Sequence, residues 1–119
     1  MAKFQRTPQP HHREVTEAEM DRLVDWIAEM NRRYYEANFP RLTPPTFRYQ
    51  MGPTNIKVIV VGDDGKDRSV WCFVEKASGA IMKAAGWKAP EPKRYERGNV
   101  HLPEGWTKWL TPNGPQYLN

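Results

Sequence analysis

Cysteine is almost absent from this chain, and so is any long apolar stretch. The single cysteine, Cys72, excludes an intramolecular disulfide and any zinc site built from several cysteines. No apolar run approaches the roughly 18 residues of a membrane span, and the N-terminus lacks the apolar stretch of a signal peptide. We therefore expect a soluble intracellular protein that does not act at a membrane.

Apolar residues are also scarce. They make up 39% of the 119 residues, whereas a globular domain usually has roughly 45–50%, although that figure counts Gly and omits Tyr. Eleven Pro and eight Gly limit regular structure further. Because five Trp, five Tyr and four Phe are present, the composition predicts one small domain with an aromatic core.

The formal net charge of +4 is unevenly distributed along the chain. Residues 1–13 carry three basic residues and no acidic one, and residues 14–37 carry seven acidic and three basic residues, a net of −4. Residues 76–108 carry seven basic and three acidic residues, a net of +4. Such asymmetry is typical of a protein with a charged ligand or partner, although it also arises from ordinary surface residues.

A long helix is predicted from Thr16 to about Ala37. Thr16 and Glu19 have the spacing of a capping box. Asn38 and Pro40 end the helical pattern. Apolar and small polar residues recur every three or four positions on one face, namely Met20, Leu23, Val24, Ile27, Asn31 and Tyr34.

After Pro45 the pattern changes to the alternation typical of strands. Residues 46–50, 56–61 and 68–74 each predict a strand, and residues 80–84 predict a short fourth one. The pair Asp64–Gly65 between two of them favours a hairpin turn. In the strand at 68–74, Val70, Cys72 and Val74 share one face, and Trp71 and Phe73 share the other.

These elements predict an α+β fold. One long N-terminal helix packs on a three- to four-stranded antiparallel β-meander, with an irregular Pro- and Trp-rich C-terminal wrap. Residues 1–13 are predicted to form a flexible basic arm, and residues 14–119 a single domain. In the wrap, Trp106, Trp109, Tyr117 and Leu118 are the expected anchors.

Catalytic and metal-binding patterns are missing. There is no nucleophile elbow, no metalloprotease motif and no glycine-rich phosphate loop. His11 and His12 are adjacent and His101 is distant, so the histidines lack the spacing of helical zinc sites. Cys72 lies in an apolar strand, where cysteine is usually inert. We expect a protein that is not an enzyme and that has no metal site and no cofactor.

Basic and aromatic residues alternate between residues 83 and 97, a segment that we call the strap. Lysine and arginine side chains bind phosphates, and exposed aromatic rings stack on bases. The polar face of the sheet offers Arg48, Lys57, Arg68 and Trp71 as an additional platform. The alternative interpretation is that Trp87 and Tyr95 are core residues and that the bases only solubilise the strap.

The segment from Val70 to Val100 resembles small bacteriophage-encoded proteins, mostly of unassigned function. The matching residues are Phe73, Val74, Glu75, Lys76, Gly79, Lys83, Ala85, Trp87, Lys88, Ala89, Pro90, Lys93, Arg97, Gly98, Asn99 and Val100. Ala80 and Gly86 stand where those proteins usually have Asp and Ser. The resemblance covers about a quarter of the chain and implies a phage or prophage origin. It provides no catalytic residue.

We therefore expect a non-enzymatic phage nucleic-acid-binding protein that favours single-stranded DNA or RNA. Its location would be the cytoplasm of the infected host cell, or the virion. The residues expected to bind are Lys83, Lys88, Lys93, Arg94 and Arg97 on phosphates and Trp87 and Tyr95 on bases. Two alternatives stay open: a phage interaction module that binds a host or phage protein, and a binder of small anionic nucleotides.

Overall fold

The first element is a long helix, α1, over Glu17–Asn38. The computed structural model describes residues 9–93 and 95–117. Thr16 is the N-cap and forms the predicted capping box with Glu19, in which each side chain accepts the other residue's backbone N–H. The helix ends at Asn38, and its C-cap Phe39 stands immediately before Pro40. Local side-chain chemistry thus sets both ends of α1, and the predicted helix is confirmed.

Five strands form one antiparallel sheet in which neighbours along the chain are neighbours in the sheet. The strands are β1 (Thr46–Met51), β2 (Asn55–Val61), β3 (Asp67–Glu75), β4 (Ala80–Met82) and β5 (Glu96–Asn99). The α+β class and the meander are confirmed. The sheet has one strand more than the largest predicted number, because part of the strap forms β5.

The core lies between α1 and one face of the sheet. Met20, Leu23 and Ile27 of the helix are fully buried in a cluster with residues from β2, β3, β4 and the C-terminal segment. On β2 and β3, Val58 is paired with Cys72 and Ile56 with Val74. Lys57 and Phe73 are also paired, and since side chains alternate along a strand they lie on the face away from α1.

Strand β5 contains Gly98 and Asn99, a residue pair that by its sequence alone favours a turn with a positive φ. Gly98 indeed has φ +85°. However, both residues lie inside β5, and the pairing of β4 with β5 is irregular between Ala80 and Met82. Gly98 therefore accommodates a distortion within a strand and not a chain reversal.

The C-terminal segment that follows β5, residues 100–117, is called the tail here, and it is more regular than the predicted wrap. It contains a 3₁₀ turn (Pro103–Gly105), a four-residue helix α2 (Trp106–Trp109) and two short paired strands, β6 (Leu110–Thr111) and β7 (Gly114–Pro115). The indole of Trp106 is buried against Trp26 of α1, with ring centroids 5.5 Å apart. Trp106 is thus an anchor, as expected, and Trp109 is half-buried. Tyr117 is exposed, so its prediction as an anchor is wrong, and Leu118 lies outside the described residues.

Residues 9–13 contact the domain. His11 and His12 contact Glu96 of β5, and the carbonyl of Arg13 accepts a hydrogen bond from His101. This part of the predicted flexible arm is therefore docked, and residues 1–8 lie outside the described part of the chain. Among the described residues, no helix has both the length and the apolar character that crossing a membrane requires.

Candidate functional site

The strap leaves the sheet as a narrow loop between β4 and β5. The N–H of Glu91 donates to the carbonyl of Lys83 (2.9 Å), and the N–H of Ala85 donates to that of Ala89 (3.1 Å). These bonds place Gly86, Trp87 and Lys88 at the tip of the loop. Backbone pairing at the base of the loop therefore presents an indole and an ammonium group together.

Trp87 and Tyr95 are both exposed, with 43% and 39% of their surfaces accessible. The Nζ of Lys57 lies 4.6 Å from the ring centroid of Trp87, and the Nζ of Lys93 lies 5.9 Å from that of Tyr95. Because Lys57 is on the face of the sheet away from α1, the loop folds onto that face. The alternative that these two rings are core residues is therefore wrong.

Lys83 and Tyr117 add a third pairing of a cation with a ring. The Nζ of Lys83 donates to the carbonyl of Pro115 (2.8 Å) and lies 3.7 Å from the ring centroid of Tyr117, which is 80% exposed. Partial burial lowers the pKa of Lys83, and the nearby Arg97 lowers it too, while Glu91 acts in the opposite direction. Lys83 thus fastens the strap to the tail and has less freedom to bind a phosphate than predicted.

Arg97 is buried, which corrects its prediction as a phosphate contact. Only 1% of the residue is accessible. Its guanidinium donates to the carbonyls of Tyr95 (3.0 Å) and Gln116 (3.1 Å) and to the carboxylate of Glu91 (3.0 Å). With its donors directed into the protein, Arg97 is a structural residue. Arg94, also predicted to bind phosphate, lies outside the described residues.

The predicted platform on the sheet is reduced to Lys57. Arg48 forms a two-pronged ion pair with Asp67 (3.1 and 2.6 Å), and Arg68 lies 3.5 Å from Asp63. Trp71 is buried beside Phe47, next to an irregularity in the pairing of β2 with β3. Trp71 is therefore not available for stacking.

Three pairs of a lysine and an exposed aromatic ring, together with Lys88 at the loop tip, remain at the strap, and we call this set the basic–aromatic surface. It contains four lysines and three exposed aromatic residues. Its members are Lys57, Lys83, Trp87, Lys88, Lys93, Tyr95 and Tyr117. Sequence reasoning named Lys57 and Tyr117 for other places, because only the folded sheet and tail bring them to the strap.

A second cluster forms where the N-terminal segment meets β5. The Nε2 of His11 lies 3.4 Å from Oε2 of Glu96, and the Nε2 of His12 lies 3.1 Å from Oε1. Burial by itself would raise the pKa of Glu96, but hydrogen bonds from Asn99 and the two histidines lower it. The sequence offered no signal for this cluster, since Glu96 is more than eighty residues away.

Cys72 lies in the core and is fully buried. Burial raises the pKa of its thiol well above the usual range. A thiol that stays protonated is neither a nucleophile nor a metal ligand. This geometry agrees with the expectation that Cys72 is a small core residue.

The comparison with protein families gave one match, which spans most of the chain. A model of a family of unknown function, DUF7717, matches residues 3–110. The chain belongs to this family. Neither the comparison with curated proteins nor the comparison with solved structures gave a match.

The DUF7717 match includes the helix, the five-stranded sheet, the strap and the histidine cluster. It ends at Leu110, so that β7 and Tyr117 lie beyond it. Since the family has no assigned function, any function must be argued from the chemistry of the two clusters.

Proposed function

We propose that this protein binds single-stranded nucleic acid, without catalysis, through the basic–aromatic surface. The observation that carries the proposal is that Trp87, Tyr95 and Tyr117 are exposed and that each ring has a lysine ammonium group beside it. Burying large aromatic rings is favourable, so a set left exposed on one surface is typical of a binding site. A role in a phage-infected cell or in the virion, as the resemblance implies, is part of the same proposal.

The aromatic rings favour single strands over a duplex. Bases in a duplex already stack on each other, whereas unpaired bases can stack on protein side chains. Trp87 is at the tip of a loop, where an unpaired base can approach it. An ammonium group next to the ring can contact the phosphate of the same nucleotide.

The lysines contribute affinity that does not depend on sequence. Arg97 already pairs with Glu91, a carboxylate of the strap, and two histidines contact Glu96. The two carboxylates of the strap therefore have partners other than Lys57, Lys88 and Lys93. Binding a phosphate backbone there releases counterions, so affinity must fall as salt rises.

The test is a titration of a labelled oligonucleotide, followed by fluorescence anisotropy. With three to four phosphate contacts, raising monovalent salt from about 50 to about 200 mM lowers the affinity for a single strand about 20- to 50-fold. A hairpin duplex of equal length binds more weakly than the single strand. No binding at about 50 mM salt would contradict the proposal.

Matched variants distinguish binding by the basic–aromatic surface from binding that depends only on the net charge of the protein. Lys88→Ala with Lys93→Ala, and Arg41→Ala with Lys66→Ala, each remove two positive charges, but only the first pair lies in the strap. We expect the first pair to weaken binding and the second to retain most of it. Equal losses would mean that binding depends on net charge alone.

A second matched pair tests stacking. Trp87→Ala is expected to cost about 1–3 kcal/mol of binding free energy, the value of one stacked base. Phe39→Ala removes a ring of similar exposure elsewhere and leaves binding unchanged.

Mononucleotides that compete as well as the oligonucleotide would favour the small-nucleotide alternative. In a pull-down from nuclease-treated bacterial lysate, a protein that stays bound in stoichiometric amount would favour the interaction module.

A further inference from the structure

We infer that His11, His12 and Glu96 form a binding site for a divalent transition-metal ion, for which zinc is the first candidate. One ligand atom from each residue can be chosen so that all three lie within 4.8 Å of one another. Two imidazoles and one carboxylate are a donor set that proteins use for zinc and related ions.

The distances between the candidate ligand atoms are close to those in a metal site. In a tetrahedral site with metal–ligand bonds of about 2.0–2.2 Å, neighbouring ligand atoms are about 3.3–3.6 Å apart. Here Nε2 of His11 lies 3.4 Å from Oε2 of Glu96, and Nε2 of His12 lies 3.1 Å from Oε1. Each imidazole is therefore near coordination spacing from the same carboxylate group.

A hydrogen bond from Asn99 fixes the carboxylate of Glu96. Asn99, which is only 1% exposed, donates from Nδ2 to Oε2 of Glu96 (2.8 Å) and to the carbonyl of Ser78 (3.1 Å). Its Oδ1 accepts the N–H of His101 (2.8 Å). The buried amide of Asn99 therefore orients the Glu96 carboxylate. In known metal sites, residues that hydrogen-bond to a ligand orient it in the same way.

His12 has to change tautomer when the metal binds. Its Nδ1 accepts the N–H of Gln9 (3.1 Å), so in the neutral ring the proton is on Nε2, facing Glu96. Coordination through Nε2 moves the ring proton to Nδ1, and the contact with Gln9 must then open. Metal binding is therefore coupled to a local change in the turn at residues 9–12.

The site leaves room for a further ligand. His11 and Glu96 line a cavity of about 240 Å³ that Leu102 and Trp109 also border. Three protein ligands beside a cavity leave a coordination position for water or a small molecule. His101 does not supply the fourth ligand, since its ring nitrogens contact Glu19 (2.5 Å) and the carbonyl of Arg13 (2.6 Å).

The direct test is titration of the full chain, without an affinity tag, with Zn²⁺ or Co²⁺ alone in competition with a chromogenic chelator. We expect one equivalent per chain. His12→Ala and Glu96→Gln are each expected to lower the affinity at least about tenfold. Glu14→Gln removes an exposed carboxylate from the same segment and leaves the affinity unchanged. No uptake, or equal uptake by all variants, would overturn the site.

A second measurement needs no variant and therefore does not depend on folding of the mutants. Long-range ¹H–¹⁵N spectra of the wild-type histidines report which ring nitrogen carries the proton. One equivalent of Zn²⁺ is expected to move the His12 proton from Nε2 to Nδ1, to shift the Gln9 amide and to leave His101 unchanged. Unaltered His11 and His12 signals, or a change at His101 alone, would contradict the site.

Discussion

At the scale of single residues, the guanidinium of Arg97 connects the strap with the C-terminal segment. It donates to Glu91 and Tyr95 within the strap and to the carbonyl of Gln116. A lysine has one nitrogen and cannot make this planar set of bonds. Arg97, predicted from the sequence to bind phosphate, thus stabilises the fold from inside the protein.

Replacing Arg97 tests that role. Arg97→Ala removes the donor to two partly buried carbonyls and to the Glu91 carboxylate, and we expect the free energy of unfolding to fall by about 2–4 kcal/mol. Urea denaturation followed by circular dichroism measures this loss. Lys88→Ala, at the exposed loop tip, is the control, and its change should stay within about 0.5 kcal/mol. Similar values for both variants would rule out the structural role.

At the scale of elements, the first turn of α1 is linked to the segment that follows β5. Glu19 closes the capping box with Thr16 and also contacts Nδ1 of His101. Partial burial would raise the pKa of Glu19, but the hydrogen bonds from His101 and Thr16 outweigh this effect and lower it. The helix start is therefore stabilised by a carboxylate that must remain ionised.

This linkage predicts a loss of stability in acid. Because folding lowers the pKa of Glu19 from its usual 4.5, its contribution is complete above that value and is lost as the pH falls through the folded-state pKa. Glu19→Gln should lower the free energy of unfolding by about 1–2 kcal/mol at neutral pH. In this variant the free energy of unfolding should also decrease less steeply below pH 4.5 than in the wild type.

The measurement is urea denaturation of wild type and variant at several pH values between neutrality and acid. Glu17→Gln is the control, since Glu17 occupies the same first turn as Glu19 but takes no part in the capping box. We expect its pH dependence to match the wild type. An unchanged acid slope in Glu19→Gln would contradict the linkage.

At the scale of the whole molecule, the tail completes the core. Trp106 packs on Trp26 of α1 and donates from Nε1 to the carbonyl of Asn99 in β5 (2.9 Å). Trp71 of β3 donates to the carbonyl of Pro112 (3.4 Å). The C-terminal segment therefore joins the helix and the sheet, and we expect it to unfold together with them.

Two tryptophan variants test this cooperativity. Trp106→Ala is expected to cost about 3–5 kcal/mol, the usual loss for a buried large aromatic residue, and to unfold the domain in a single transition. Trp87→Ala, at the exposed loop tip, should change the stability by less than about 1 kcal/mol. Calorimetry and urea denaturation measure both. A small loss in Trp106→Ala would mean that the tail is peripheral.

The sequence by itself determined the features that depend on near neighbours. The capping box, the turn at Asp64–Gly65 and the alternation in β2 and β3 each need only residues a few positions apart. Helix α1 and most of the meander were therefore predictable. Strand β5 was not, because its four residues, Glu-Arg-Gly-Asn, carry no apolar alternation and pair only because β4 offers an edge.

Only the tertiary structure decided which side chains meet at the two clusters. Lys57 reaches Trp87 because the loop folds back over the sheet, and Glu96 reaches His11 and His12 because β5 is paired next to β4. The same packing turned Arg97 inward and left Tyr95 at the surface. Contacts between distant residues depend on strand order and on burial of the whole core, and no local pattern contains that information.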